Sequence, residues 1–293
     1  MNKSFSSMLA TLLSGMMVVA ATACGDGKAD DAPQQSNAAP DTTAKAPVPV
    51  ANIDKMPMAD IDTSRPSSKM PPAPAVDQAV PIRTPEGQPA RYAVKSGRLT
   101  FRYDGDLRGE RVITFDDYGL KEFTEDRFIQ FPMDATAGIR EGTSIATPTE
   151  RISLQTPTKI AYKLPNLAMQ QYLSSDSTNT MSLTDFILAR SGAKKVKEEN
   201  LQGYAATLYE IASQGGPVRW WYWKGIVIRE EGEYTQMNKH HTLMLQKIEL
   251  NIPIADSLFQ VPAGYKVQTP PPPPSPNAPG AAPSGTPGGA PQK

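Results

Sequence analysis

The sequence predicts a mainly β domain between residues 91 and 267, with a curved antiparallel sheet and one or two helices covering its open face. Three observations support this prediction. Apolar and polar residues alternate along several short segments, which is the period of a half-buried strand. Gly, Asp and Pro residues between these segments are typical of tight turns. Strand-like segments come first and last with helix-like segments between them, whereas a regular alternation of strand and helix would predict a parallel sheet.

The first strands are predicted to form a meander. In residues 91–103, the side chains of Leu99, Phe101 and Tyr103 share one face, and Asp104-Gly105-Asp106 then has the composition of a turn. Five further strands are expected at residues 110–115, 121–128, 143–147, 150–154 and 159–164.

Helices are expected after the sixth strand. Residues 166–173 are compatible with a short helix. Ser182 and Asp185 have the spacing of a capping box, and Gly192 is placed to end the helix that follows. Leu183, Phe186, Ile187 and Arg190 fall on one side of this second helix.

The last strands are expected at residues 195–199, 204–212, 218–229 and 243–252. The third of them carries four consecutive rings. By strand alternation, Trp221 and Trp223 share one face, while Trp220 and Tyr222 share the other. Two interpretations remain open, because such rings can line the wall of an apolar binding cavity or can be ordinary core.

The amino terminus predicts export. Residues 1–23 have a short positive start, an apolar stretch and a small-residue ending, as a signal peptide does. Cys24 follows directly, and it is the only cysteine of the chain. We expect Cys24 to be lipidated and to attach the protein to a membrane. The alternative is an ordinary signal peptide with a chance cysteine after its cleavage site.

The two ends of the mature chain have compositions unlike that of the domain. Residues 24–90 are interpreted as the lipidated Cys24 followed by a tether. The tether is rich in Ala, Pro, Asp and Ser, which predicts that it is disordered. Residues 268–293 are rich in Pro and Gly and predict a disordered tail. This tail is either a solvated end or a docking segment for an envelope protein partner.

Charge and motif content argue against several function classes. The 30 basic and 30 acidic residues balance, so nucleic acid is not expected as a partner. His240 and His241 are the two histidines, and neighbours on a strand point to opposite faces, so we expect no metal site. No nucleophile elbow or phosphate-binding glycine loop is present. We therefore expect neither an enzyme nor a cofactor.

Short motifs resemble a known group of proteins. Ala21-Thr22-Ala23-Cys24 resembles the lipobox of bacterial lipoproteins. Gly203-Tyr204, the run from Trp221 to Ile226 and the run from Ile254 to Tyr265 resemble the lipoprotein-localisation-factor superfamily, and more closely its members of unknown function. The resemblance implies an unclosed β-barrel that is covered by helices over an apolar cavity. Gly25 in place of an aspartate after the cysteine implies the outer membrane, facing the periplasm.

Two functions follow as hypotheses. The first is a membrane-anchored lipoprotein that holds a lipid or acyl chain in the barrel cavity. Its candidate cavity residues are Phe101, Phe186, Ile187, Trp221 and Trp223. The second is a non-enzymatic envelope module that binds other proteins and holds no small molecule.

Overall fold

A computed structural model of the chain describes residues 69–130, 139–175, 180–213, 216–234 and 239–270. Within these ranges, twelve strands form one curved, unclosed sheet, and two α-helices lie between the sixth and seventh strands. The predicted fold class is therefore confirmed. The predicted signal peptide and Cys24 lie outside the described residues, and so does the predicted tail apart from residues 268–270.

The strands follow one another as neighbours over most of the sheet. Their order is β12-β6-β5-β4-β3-β2-β1-β11-β10-β9-β8-β7, and every pair is antiparallel except β12 with β6. The bounds of the twelve strands are β1 Gly97–Gly105, β2 Leu107–Asp116, β3 Lys121–Gln130, β4 Arg140–Ala146, β5 Glu150–Gln155, β6 Ile160–Pro165, β7 Lys194–Leu201, β8 Tyr204–Ser213, β9 Gly216–Trp223, β10 Ile226–Tyr234, β11 Lys239–Leu250 and β12 Lys266–Gln268.

The aromatic segment 218–229, predicted as one strand, is two strands in the structure. It divides at Lys224 and Gly225, whose φ angles are 52° and 82°. Two consecutive positive φ angles are the conformation of a two-residue hairpin turn, and glycine adopts it without steric cost. The prediction was wrong here because the apolar run continues through the turn and hides it.

Two helices form where they were predicted, α1 at Leu167–Ser174 and α2 at Leu183–Ser191. The capping box of α2 is present, because the Ser182 hydroxyl donates to Asp185 Oδ2 at 2.7 Å and accepts from the Asp185 amide at 3.1 Å. Gly192 ends α2 with a φ of 76°. The ring of Phe186 on α2 packs edge-on against Tyr172 of α1, with centroids 5.2 Å apart.

Both faces of strand β9 are covered. One face carries Trp220 and Tyr222, which cluster with Leu188 of α2. By alternation, Trp221 and Trp223 lie on the opposite face. There the ring of Trp223 meets that of Tyr204 edge-on, with centroids 5.2 Å apart. Aromatic residues are thus buried on both sides of this strand.

A second apolar cluster lies on the other half of the sheet. Phe123 of β3, Ile145 of β4 and Ile152 of β5 pack together there, and Phe259 and neighbouring residues of the segment 254–265 cover them. By alternation along β3 and β5, this cluster occupies the face opposite to the side chains of residues 122 and 151. The face that carries residues 122 and 151 is thereby left to the helix pair.

The end of the predicted tether packs against the sheet. Met70 is 8% exposed, and its amide donates to Gln202 Oε1 at 2.7 Å. Ala73 and Val76 pack against the same core cluster, and the hydroxyl of Tyr204 donates to the Pro72 carbonyl. Residues 69–90 therefore differ from the expected disordered tether of 24–90, because a few apolar side chains and backbone hydrogen bonds hold a proline-rich segment in place. Residues 24–68 lie outside the described ranges.

Residues 91–96, between the packed residues 69–90 and β1, cross the ends of two hairpins. The amides of Arg91 and Tyr92 donate to the Tyr118 carbonyl, and the amide of Ala93 donates to the Lys224 carbonyl. The α2 helix is fixed to the same segment, because the Thr184 hydroxyl donates to the Arg91 carbonyl at 2.9 Å. This segment thereby joins the helix pair to both halves of the sheet and positions the cavity described next.

Candidate functional site

A cavity of about 170 Å³ lies between the helix pair and strands β2–β5. Its helix side is mainly apolar and is formed by Leu120 and by side chains of α1 and α2, namely Leu167, Met169, Leu183, Phe186 and Ile187. Asn166, Gln171 and Arg190 also line this side. Its volume exceeds that of a 150 Å³ cavity that admits benzene, yet falls below the 300–1,000 Å³ of a pocket for a drug-sized ligand. The cavity therefore fits one end of a ligand or part of one chain.

The strand register explains which side chains form the floor. Glu122 of β3 is paired with Ala146 of β4, which is paired with Arg151 of β5. Because directly opposed residues point to the same face, these three side chains form one row across the sheet. In the next row, Thr124 opposes Ser144. The floor is therefore polar and charged, whereas the helix side is mainly apolar.

Arg91 and Glu122 form an ion pair at one end of this floor. Glu122 accepts hydrogen bonds from the Arg91 guanidinium and from the hydroxyl of Tyr92. Burial acts to lower the pKa of Arg91, but the charge of and hydrogen bond to Glu122, together with Tyr92 and Tyr222, outweigh burial and raise that pKa above its ordinary value. Burial raises the pKa of the Tyr92 hydroxyl. The arginine is held charged and the tyrosine protonated.

A second buried ion pair holds Arg111 of β2. Its Nε lies 2.6 Å from Asp126 Oδ1 and its terminal nitrogen 3.1 Å from Asp126 Oδ2, which is a bidentate pair. The hydroxyl of Tyr103 donates to the same carboxylate at 2.8 Å. Since Asp126 neutralises Arg111, this guanidinium supports the floor of the cavity and adds little net charge to it.

Arg151 and Arg190 complete the set of arginines that line the cavity. Burial lowers the pKa of Arg151, the positive charge of Arg91 lowers it further, and Glu122 acts the other way. Arg190 is exposed in the last turn of α2, with its guanidinium 5.9 Å from the ring centroid of Phe186. Guanidinium groups therefore line the cavity both from the sheet, with Arg111 and Arg151, and from α2, with Arg190.

The structure brings together two of the five predicted cavity residues. Phe186 and Ile187 line the cavity, whereas Phe101, Trp221 and Trp223 do not. Those three residues are 2%, 7% and 4% exposed and belong to the main core cluster. The rings of Trp221 and Trp223 are therefore part of the core, which is one of the two interpretations that the sequence left open.

The four arginines that line the cavity, Arg91, Arg111, Arg151 and Arg190, were not predicted from the sequence. A signal for part of this set exists, because Arg111, Ile113 and Phe115 alternate along β2, so a charged residue occupies a position on an apolar face. Glu122 and Asp126 show the same pattern on β3, where alternation places them on one face. Charges at inward positions of adjacent strands are the signal that points to a polar cavity floor.

A buried polar cluster lies further round the sheet. Glu230 accepts from the Trp220 indole at 3.1 Å and lies 3.1 Å from Nε2 of His241. Burial acts to raise the pKa of Glu230, but the hydrogen bond with His241 and the charge of Arg111 outweigh burial and lower that pKa. His240 is exposed beside Asp106, so the two histidines point apart as expected. Among the described residues, no group of three His, Cys, Asp or Glu side chains could hold a metal ion.

A second depression, of about 240 Å³, lies between Val80, α2 and the ends of strands β8–β10. It is more open to solvent than the first and is lined largely by hydroxyl-bearing and small side chains. Its lining residues are Val80, Ser182, Thr184, Asp185, Leu188, Ala205, Thr207, Tyr209, Tyr222, Lys224 and Gly225. It lacks the continuous apolar side that makes the first cavity the better candidate site.

No family model and no curated protein matches the chain. Several solved structures are similar in shape. An uncharacterised conserved protein from Thermus thermophilus has a TM-score of 0.38 at 10% identity, over 60% of this chain and 91% of that one. A protein from Vibrio parahaemolyticus, described as an outer membrane lipoprotein-sorting protein domain, has a TM-score of 0.26 at 10% identity, over 56% of this chain and 89% of that one.

MucB, in a complex with MucA(peri), has a TM-score of 0.29 at 11% identity, over 57% of this chain and 54% of that one. The Vibrio protein is of the kind that the sequence resembles. With TM-scores and identities this low, these likenesses carry no conclusion about the function of this chain. No helix in the described part of the chain is long and apolar enough to cross a membrane.

Proposed function

We propose that this protein is a lipid-anchored envelope lipoprotein that binds a hydrophobic ligand, a lipid or an acyl chain, between its helix pair and strands β2–β5. The observation that carries the proposal is the mainly apolar helix side of the cavity, where Leu120, Met169, Leu183, Phe186 and Ile187 meet. Burying an acyl chain stabilises a complex by about 0.8 kcal/mol per methylene, so even a partly buried chain gains several kcal/mol.

The anchor in this proposal is an acylated Cys24, with palmitate among its acyl chains and the outer membrane, facing the periplasm, as the location. Two or more acyl chains give stable attachment. Changing Cys24→Ser should move the protein from the membrane fraction to the soluble fraction and abolish labelling by an alkyne analogue of palmitate. A Cys24→Ser variant that stays labelled and membrane-bound would contradict the anchor, but it would leave the cavity proposal standing.

Native mass spectrometry of the gently purified full chain tests the ligand. We expect an added mass of lipid size in the wild type. Ala146→Trp fills the floor of the cavity and should abolish that mass, whereas Val196→Trp, at a 53% exposed position of β7, should retain it. Circular dichroism and thermal melting check that both variants fold.

A wild type that is consistently empty would contradict the ligand proposal. The hypothesis of a protein-interaction module would then be the better one. Crosslinking in cells, with and without residues 268–293, is its test, and loss of a captured partner on deletion of this tail is the result expected from it.

A further inference from the structure

The second depression lies on the other side of helix α2 from the cavity. Leu183, Phe186 and Ile187 of α2 face the cavity. Asp185 and Leu188 of the same helix line the second depression. With about 3.6 residues per turn, these two sets fall on opposite faces of α2. The depression has a volume of about 240 Å³, below the ~300–1,000 Å³ of pockets for drug-sized ligands, so it suits a small molecule.

Three hydroxyl-bearing side chains stand together on the sheet side of this depression. Thr207 of β8 is directly paired with Tyr222 of β9, so both side chains point to the same face of the sheet. Alternation along β8 places Tyr209 on that face too. The rings of Tyr209 and Tyr222 meet edge-on, with centroids 5.7 Å apart. The sheet therefore presents three hydroxyl groups to one small volume.

In the part of the chain that the structure describes, none of these three hydroxyls has a hydrogen-bond partner. Tyr222 is 8% exposed and extends towards Leu188 of α2, so its hydroxyl has little access to bulk water. Burial raises the pKa of Tyr222 and of Tyr209, so both hydroxyls stay protonated and can donate as well as accept. Because buried polar groups are nearly always hydrogen-bonded, these hydroxyls point to a polar molecule in the depression.

The charges of the lining balance. Asp185 contributes a carboxylate from α2, and its Oδ2 accepts from the Ser182 hydroxyl at 2.7 Å. Lys224 contributes an ammonium group from the β9–β10 turn. A lining with one charge of each sign suits a neutral ligand better than an ion. A sugar meets these conditions, because each of its hydroxyls both donates and accepts and its C–H groups can pack on tyrosine rings.

We propose that the second depression binds a neutral monosaccharide unit, with the hydroxyls of Thr207, Tyr209 and Tyr222 bonded to sugar hydroxyls from the sheet side. The carboxylate of Asp185 accepts from the sugar on the helix side. Helix α2 separates this site from the cavity that holds the hydrophobic ligand, so neither proposal depends on the other.

Saturation-transfer difference NMR of the full chain tests this site with glucose, galactose, mannose and N-acetylglucosamine. We expect at least one of the four sugars to receive saturation from the protein, and a titration then gives its Kd. Serine is added as a small zwitterionic probe that could pair with Asp185 and Lys224 alone. Saturation of serine and of none of the sugars would overturn the inference.

Variants locate the bound sugar. Tyr222→Phe and Thr207→Val each remove one hydroxyl with little change of shape, and each should raise the Kd about three- to tenfold, as the loss of one hydrogen bond implies. Tyr162→Phe is the matched control, because Tyr162 of β6 lines neither site, and it should leave the Kd unchanged. Ala205→Trp fills the depression from an exposed position and should abolish saturation. Circular dichroism checks that each variant folds.

Several results would contradict a sugar site here. Absence of saturation with all four sugars would overturn it, and so would sugar binding that persists in Ala205→Trp, since the sugar would then lie elsewhere. A Kd that is unchanged in both Tyr222→Phe and Thr207→Val, or that rises equally in Tyr162→Phe, would also count against it. If Tyr222→Phe does not fold, the exposed Ala205→Trp carries the test. None of these results bears on the hydrophobic ligand.

Discussion

Replacing Gly225 by alanine should destabilise the protein more than replacing Gly192, although both glycines have nearly the same backbone conformation. Their φ angles are 82° and 76°. A Cβ added at Gly192 meets nothing within 4 Å, whereas a Cβ at Gly225 would lie 2.1 Å from the Arg91 carbonyl oxygen. The pair of variants therefore separates backbone strain from steric overlap with the segment that holds the cavity together.

The magnitudes follow from these two contributions. Alanine in the left-handed region costs about 1–2 kcal/mol, and both variants bear that cost. Gly225→Ala must also displace the backbone of Arg91, which is hydrogen-bonded to Thr184 of α2, and overpacking of this kind costs a further ~1–3 kcal/mol. The free energy of unfolding should therefore fall by about 2–5 kcal/mol for Gly225→Ala and by about 1–2 kcal/mol for Gly192→Ala.

Urea denaturation of the full chain, followed by tryptophan fluorescence, measures both values. Trp220, Trp221 and Trp223 are buried next to the substituted turn and report its unfolding. An unchanged slope with a shifted midpoint indicates a change of stability alone. Equal midpoint shifts in the two variants would refute the inference that the segment at Arg91 is clamped against the β9–β10 turn.

Three further predictions concern the core and its charges. Trp223→Ala should cost ~3–5 kcal/mol by removing a buried ring, while Val196→Ala at the exposed edge should stay within about 0.5 kcal/mol; similar costs would mean that Trp223 is not core. Met70→Ala should lower the free energy of unfolding by ~2–4 kcal/mol, and a neutral result would show that residues 69–90 are not packed against the sheet. Glu230→Gln should cost ~1–3 kcal/mol at neutral pH by weakening the bond to His241. The folded-state pKa of Glu230 lies below its ordinary 4.5, so the contribution of Glu230 is present above pH 4.5 and is lost as the pH falls through the folded-state pKa. Wild-type stability should therefore drop more steeply than that of Glu230→Gln as the pH falls below 4.5. Parallel curves would contradict this assignment.

Local chemistry predicted much of the fold. The capping box of Ser182 and Asp185 and the terminating Gly192 defined α2, because these residues act through bonds within a few positions of the chain. The alternation of Leu99, Phe101 and Tyr103 defined β1 for the same reason. The turn at Lys224 and Gly225 was missed, since apolar residues on both sides suggested one continuous strand.

The site could be predicted only in part. Phe186 and Ile187 were identified from helical periodicity, which is local. Arg91, Arg111, Arg151 and Arg190 come from four separate elements, and their convergence depends on strand register and on where the helices dock. The packing of residues 69–90 escaped prediction for a related reason, because a proline-rich composition does not show which isolated apolar residues find a partner.

The ligand site is tested most directly with a photoreactive fatty acid that carries a diazirine in its chain, bound to the full-length protein and crosslinked by light. Fragmentation mass spectrometry then locates the labelled residues. A ligand between the helix pair and β2–β5 should place label on Met169, Leu183, Phe186 or Ile187, and excess unlabelled decanoate should remove that label. Label spread equally over exposed apolar residues such as Val196 and Val267, or concentrated beside Trp221 and Trp223, would contradict a ligand site between the helix pair and β2–β5.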